Sequence, residues 1–156
     1  MSQLDSYIAI EGPIGVGKTS LAEMIAEKLN ARKVFEDFKG NPFLEEFYED
    51  PDSNALQTQV WFLLQRYQQQ QKEIKQLNAF QKGVITDYMF EKDRLFAEFT
   101  LRSQAEFELY SNVADILEKD IIKPDMVVYL QADTSRWRHF QVMLAAAQTP
   151  YFPDRY

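Results

Sequence analysis

A chain of 156 residues, 46% apolar and 26% charged, has the composition of an ordinary globular protein and the length of a single domain, residues 1–156, with a modest core. It holds no cysteine, which excludes disulfides, thiolate metal sites and thiol nucleophiles. A formal net charge of −7 and a pI of about 4.8 argue against nucleic acid or an anionic membrane as the main partner, so any phosphate it binds must be held by a few local cations and backbone donors.

In chain order, the N-terminus MSQLDSYIAIEG lacks the basic and apolar regions of a signal peptide, and no apolar run is long enough to span a bilayer; a cytoplasmic location is expected. Tyr7-Ile8-Ala9-Ile10 reads as a strand ending just before a glycine-rich loop. Thr19 to Asn30 carries Leu21, Ala22, Ile25, Ala26 and Leu29 at helical spacing. Val34-Phe35 is a second strand, closed by Glu36-Asp37, and Asn41 to Asp50 predicts a short helix with Pro42 in its first turn. Asn54 to Leu77 is the clearest periodic element, a long helix with Leu56, Val60, Leu63, Leu64 and Tyr67 on one side. Gly83 to Asp87 is a third strand, followed by an irregular aromatic segment to Ala97. Gln104 to Ile121 is again helical, with Leu109, Val113, Ile116 and Leu117 aligned, and Pro124-Asp125 introduces a fourth strand over Met126 to Leu130. Short apolar strands alternating with amphipathic helices predict a parallel sheet covered on both faces, with no internal repeat.

The loop after the first strand is EGPIGVGKTS: Gly12, four residues, then Gly17-Lys18-Thr19, the spacing of a P-loop. Gly12, Pro13, Ile14, Gly15, Val16, Gly17, Lys18, Thr19 and Ser20 are the expected nucleotide-binding residues. Glycine geometry turns successive N–H groups into one concavity at a helix N-terminus, Lys18 reaches the β- and γ-phosphates, and the Thr19 hydroxyl ligates Mg²⁺. A glycine turn that binds nothing is the bland alternative, and the strand before and helix after count against it. Two carboxylates stand where strands end, Asp87 and Glu36, on the side where open α/β sheets take their ligands. Alone, each reads as a turn or cap residue; beside a P-loop, Asp87 reads as Mg²⁺ support and Glu36 as a proton acceptor.

The remaining pattern separates the uses of a bound nucleotide. No Asn-Lys-x-Asp element for reading guanine is present, and a large motor needs more chain. A small kinase needs a second pocket, for which Tyr48, Gln59, Arg66 and the Asp93-Arg94 pair are candidates. Gln59 and Arg66 are seven residues apart and share a helix face, and a glutamine amide offers the donor and acceptor that match a nucleobase edge. Trp61, Phe62 and Tyr67 read as core or dimer surface, Glu45, Glu46, Glu49 and Asp50 as a solvated face, and His139 as a histidine without a partner.

YIAIEGPIGVGKTSLA, the acid after the second strand, NPFLEEFYEDP, TQVWFLLQR, DYMFEKDRLFA and PDMVVYLQAD, in that order across residues 5 to 134, together resemble the deoxynucleoside kinase family, nearest its bacterial deoxyguanosine/deoxyadenosine kinase branch. The resemblance implies an α/β P-loop kinase with a parallel five-stranded sheet flanked by helices on both faces. It implies ATP and Mg²⁺ as cofactors, a deoxynucleoside (a purine first) phosphorylated on its 5′-hydroxyl for nucleotide salvage, and a homodimer built through long helices. By the same resemblance Glu36 is the general base, Tyr48 bonds the 3′-hydroxyl, Gln59 pairs with the base edge, Arg66 and Asp93 read the base's other polar groups, and Phe96 stacks on it. Thr19 and Asp87 hold Mg²⁺. One departure stands out: the family's arginine after the acid is Tyr88 here, and Arg94 or another cation is expected to supply the missing charge. A nucleoside monophosphate kinase and a catalytically silent nucleotide-binding subunit are the alternatives. After PDMVVYLQADTS the family has a helix and an arginine-rich lid. RWRHFQVMLAAAQTPYFPDRY follows here instead, and the expectation is a segment left out near Ser135-Arg136 rather than a lost lid.

Overall fold

The computed structural model describes residues 6–37, 40–75 and 83–132. Four parallel strands, β1 (Ser6–Glu11), β2 (Arg32–Val34), β3 (Gly83–Thr86) and β4 (Met126–Tyr129), form one sheet in the order β2-β3-β1-β4. Ile8 is level with Ile85 on β3 and with Met126 on β4. A fifth strand is not among the described residues. Alternation along β1 divides the core. Ile8 and Ile10 join Ile85 and pack on Ala22 and Ala26 of helix α1 (Lys18–Leu29), while Tyr7 and Ala9 join Val34, Val84, Tyr88 and Ile74 on the opposite face. Over β1 and β3 the sheet is thus covered on both sides, as a parallel sheet requires, while Met126, Val127 and Tyr129 of β4 are exposed among the described residues.

A third cluster lies among α3 (Pro51–Gln69), α4 (Lys92–Thr100) and α5 (Gln104–Leu117), where Ala55, Leu63, Phe90, Ala97, Leu101, Tyr110 and Ala114 are buried together. The short helix α2 (Leu44–Glu49) precedes α3. Local chemistry sets the helix ends. Asn30, in the left-handed conformation at φ 52°, ends α1 with its N–H on the Ala26 carbonyl. Asp50 caps α3 by accepting from Ser53 N–H at 3.4 Å, and Pro51 takes the first helical position, where no hydrogen bond is lost.

Several boundaries depart from the sequence reading. Pro42 lies before α2 rather than in its first turn, and the long helix starts at Pro51, passing into a π-helical turn over Gln70–Ile74. The segment after β3 is not irregular to Ala97: α4 begins at Lys92. Its buried stripe includes the charged Asp93, so apolar periodicity could not reveal it. On α5 the buried positions are Tyr110 and Ala114, with Val113 and Leu117 beside them, whereas Leu109 and Ile116 are exposed. Leu64, aligned with the core side of α3 by sequence, is also exposed, at 41%.

Candidate active site

The carboxyl ends of β1, β2 and β3 converge on the loop that follows β1. Gly12 leaves the strand at φ 148°, and a Cβ there would stand 2.5 Å from the Leu130 carbonyl oxygen, so no larger residue fits without moving backbone. Gly15 and Gly17 also have positive φ, 75° and 100°, and Gly17 leads directly into α1. A Cβ on Gly17 would meet nothing within 4 Å, so that side of the loop is open. Lys18 lies across the loop and donates to the carbonyls of Gly12 (2.9 Å) and Pro13 (3.0 Å). Burial, and next the Lys92 ammonium, hold Lys18 below the ordinary lysine range, with Glu11, Glu36 and Asp87 acting in the opposite direction.

Asp87, buried at the end of β3, ties two elements to this loop. Its Oδ2 accepts from the Thr19 hydroxyl at 2.5 Å and its Oδ1 from the Glu36 N–H at 2.9 Å. Among the described residues no cluster of three or more His, Cys, Asp or Glu forms a cation cage. A hydroxyl and a carboxylate are instead the partial set of hard oxygen ligands that suits Mg²⁺ shared with phosphates and water. The positive-φ glycines, open loop and oxygen pair therefore fit a magnesium–nucleotide complex.

Glu36 joins this region to a second one. Its side chain accepts from Arg66 of α3, whose guanidinium also pairs with Asp93 of α4. The Arg66 side chain is 10% exposed and that of Asp93 2%, while Glu36, at 32%, reaches solvent. The guanidinium lies over the rings of Phe62 (5.2 Å) and Tyr88 (5.5 Å). Arg66 Nε and Asp93 Oδ2 are buried without a hydrogen-bond partner among the described residues, leaving one donor and one acceptor of this pair unused. Gln59 is buried on the same face of α3, two turns earlier.

The remaining sequence candidates are distributed as follows. Tyr48 of α2 and Phe96 of α4 are half-exposed, and the Lys92 ammonium lies 5.6 Å from the Phe96 ring centroid. Pro13, Ile14, Val16 and Ser20 complete the loop and first turn, Val16 N–H bonding the Pro13 carbonyl at 3.3 Å. Arg94 is engaged elsewhere: it pairs with Asp115 (2.6 Å) and Glu118 (3.1 Å) at the end of α5. Tyr88 is buried in the sheet-face cluster and donates to Gln69 Oε1 at 2.9 Å; desolvation pushes its hydroxyl far above the ordinary phenol range, so it is neutral. His139 and the expected lid fall on residues 133–156, outside those described.

Sequence reasoning missed Glu11 and Lys92. Glu11 accepts from Gly12 N–H (3.1 Å), Met89 N–H (3.1 Å) and the Lys92 ammonium (3.0 Å). The available signal was the departure at Tyr88, which asked for a cation. Lys92 and Arg94 are two residues apart, roughly 200° around a helix, so recognising α4 would have shown that only one of them could face the loop.

A parallel sheet with this loop at its carboxyl edge defines a P-loop nucleotide-binding α/β protein. The family profile "Deoxynucleoside kinase" matches residues 8–139, and the chain belongs to that family. It is 35% identical over 133 residues to the deoxyguanosine kinase of Bacillus subtilis (strain 168), covering 85% of this chain and 64% of that protein. It is 32% identical over 135 residues to the deoxyadenosine kinase of Dictyostelium discoideum, covering 84% and 54%. The chain therefore spans between about half and two thirds of the length of these curated relatives. Its fold matches a structure of deoxyadenosine kinase from M. mycoides with bound dATP at a TM-score of 0.73 and 22% identity, over 93% of this chain and 72% of that one.

Proposed function

We propose that the protein transfers the γ-phosphoryl group of ATP to the 5′-hydroxyl of a deoxynucleoside, a purine by preference. The observation that carries this reading is the double attachment of Glu36: its backbone is bonded to Asp87 beside Thr19, and its side chain to the buried Arg66–Asp93 pair. One carboxylate thus stands between a phosphate loop and a polar site whose donors and acceptor match those of a base edge. Glu36 accepts the 5′-hydroxyl proton as that oxygen forms its bond to the γ-phosphorus, and the bond from the γ-phosphorus to the β–γ bridging oxygen breaks, releasing ADP. Lys18 and the loop N–H groups hold the β- and γ-phosphate oxygens, with Lys18 exchanging its carbonyl partners for them. Mg²⁺, held by Thr19 and Asp87, supplies further charge neutralisation when bound.

Arg66 and Asp93 offer donors and an acceptor to the base, with the Gln59 amide on the same helix face, which suits adenine, guanine or cytosine better than thymine. The two relatives named for deoxyguanosine and deoxyadenosine support a purine. A nucleoside monophosphate as acceptor is disfavoured, because it needs additional arginines and Arg66, the one arginine of this site among the described residues, already serves two carboxylates. Tyr48 for the 3′-hydroxyl, Phe96 for stacking, a homodimer through the Trp61–Tyr67 side of α3, and a cytoplasmic salvage role complete the proposal. No described helix is long and apolar enough to cross a membrane. The test is Glu36→Gln, which should retain deoxynucleoside binding and lose turnover by roughly 10²–10⁴-fold. Near-normal turnover removes Glu36 from the chemistry.

A further inference from the structure

We infer that Lys92 is the second phosphate-binding cation of this site, in place of an arginine after Asp87, and that Glu11 holds it ready. The inference rests on the phosphoryl-transfer reading but on different residues. Position 88 carries no charge, because Tyr88 is packed in the core with its hydroxyl on Gln69. Arg94 is engaged by Asp115 and Glu118. Lys92 is in neither position. Its ammonium is 3.0 Å from Glu11 Oε2, and the same oxygen accepts the Gly12 N–H at 3.1 Å. The Lys18 ammonium donates to the Gly12 carbonyl at 2.9 Å. Both ammonium groups therefore hang on the Glu11-Gly12 dipeptide at the entrance to the loop. The Lys92 side chain is 28% exposed there, and its ammonium also lies 5.6 Å from the Phe96 ring centroid.

Lys92 is the first residue of α4, where the helix dipole opposes a cation. Glu11 pairs with Lys92, whereas the Lys18 ammonium donates to two backbone carbonyls and makes no ion pair among the described residues. A polyphosphate chain on the loop N–H groups satisfies both ammonium groups, with Lys92 moving from Glu11 to a terminal phosphate oxygen as charge develops on it. The Glu11 bond to Met89 N–H ties the turn before α4 to the end of β1.

The experiment measures inorganic tripolyphosphate affinity by titration calorimetry, and kcat with ATP, for Lys92→Met, Lys92→Gln, Lys92→Arg and Arg94→Met. Lys92→Gln retains a donor for Glu11 without the charge, which separates loss of charge from loss of folding. We expect Lys92→Met and Lys92→Gln to bind tripolyphosphate at least 10-fold more weakly and to lose about 10²–10³-fold in kcat. Lys92→Arg should recover most of both, and Arg94→Met should lower Tm while holding tripolyphosphate affinity within about 2-fold. Wild-type affinity in Lys92→Gln, or a larger loss in Arg94→Met than in Lys92→Gln, overturns the inference. Absence of transfer to any deoxynucleoside in the wild-type protein refutes the kinase reading instead, and the tripolyphosphate titration still decides Lys92.

Discussion

Arg66→Met is the sharpest perturbation of the site. Methionine replaces the apolar stem of Arg66 between Phe62 and Tyr88 but removes the charge that pairs with Asp93 and Glu36. Glu36 reaches water and is resolvated; Asp93, with its side chain 2% exposed, is not. Breaking a buried pair by deleting one member costs about 3–5 kcal/mol, because the other charge is left uncompensated. Asp93 sits in the first turn of α4, where the helix dipole returns about 0.3–1 kcal/mol. The net expectation is a loss of about 2–4 kcal/mol, measured by urea denaturation. Adding Asp93→Asn removes the stranded charge, so the double variant should be more stable than Arg66→Met alone, with a coupling of about 2 kcal/mol. A loss under about 1 kcal/mol, or strictly additive single changes, would refute the view that this pair is a buried electrostatic unit. Deoxynucleoside affinity should fall in both variants.

Two further outcomes follow. Tyr88→Arg, which restores an arginine directly after the acid, should fail to raise activity and should destabilise the protein by about 3–5 kcal/mol, since it places a charge in the cluster of Tyr7, Val34, Val84 and Ile74. A stable, more active Tyr88→Arg would show that this position faces the phosphates after all. Lys18 should titrate below the ordinary lysine value of 10.5 when followed by NMR of ¹³C-methylated lysines, and Lys92→Met should move it upward by removing a neighbouring cation. Between its lowered pKa and 10.5 the unfolded chain binds more protons at this group, so its contribution makes stability rise with pH across that window. A Lys18 titration at or above 10.5 contradicts the placement.

The sheet and the loop were legible in the sequence because each rests on a short-range pattern, a strand before glycines or an acid after a strand; the roles of Arg66 and Asp93 came only with the family resemblance, and the link from Glu36 to Arg66 was not legible at all. What escaped depended on tertiary partners. A helix whose inner stripe contains Asp93 has no apolar period to read, and α4 was missed for that reason. Without α4 there was no means to tell Lys92, turned to Glu11, from Arg94, turned to α5. Tyr88 shows the same limit: its neighbours in sequence suggested the phosphate site, while its burial against Tyr7 and Ile74 assigns it to the core. The exposed Leu109 and Ile116 obey helical spacing as well as the buried Tyr110 and Ala114 do, and only packing distinguishes the two stripes.

The central claim is tested most directly by incubating the purified protein with Mg²⁺-ATP and, separately, deoxyguanosine, deoxyadenosine, deoxycytidine, thymidine and deoxyadenosine monophosphate, and separating the products by anion-exchange chromatography. The account predicts 5′-monophosphates of the purine deoxynucleosides with stoichiometric ADP, little product from thymidine, and no diphosphate from the monophosphate. Thymidine as the preferred acceptor, or transfer to the monophosphate in preference to the nucleosides, would contradict it.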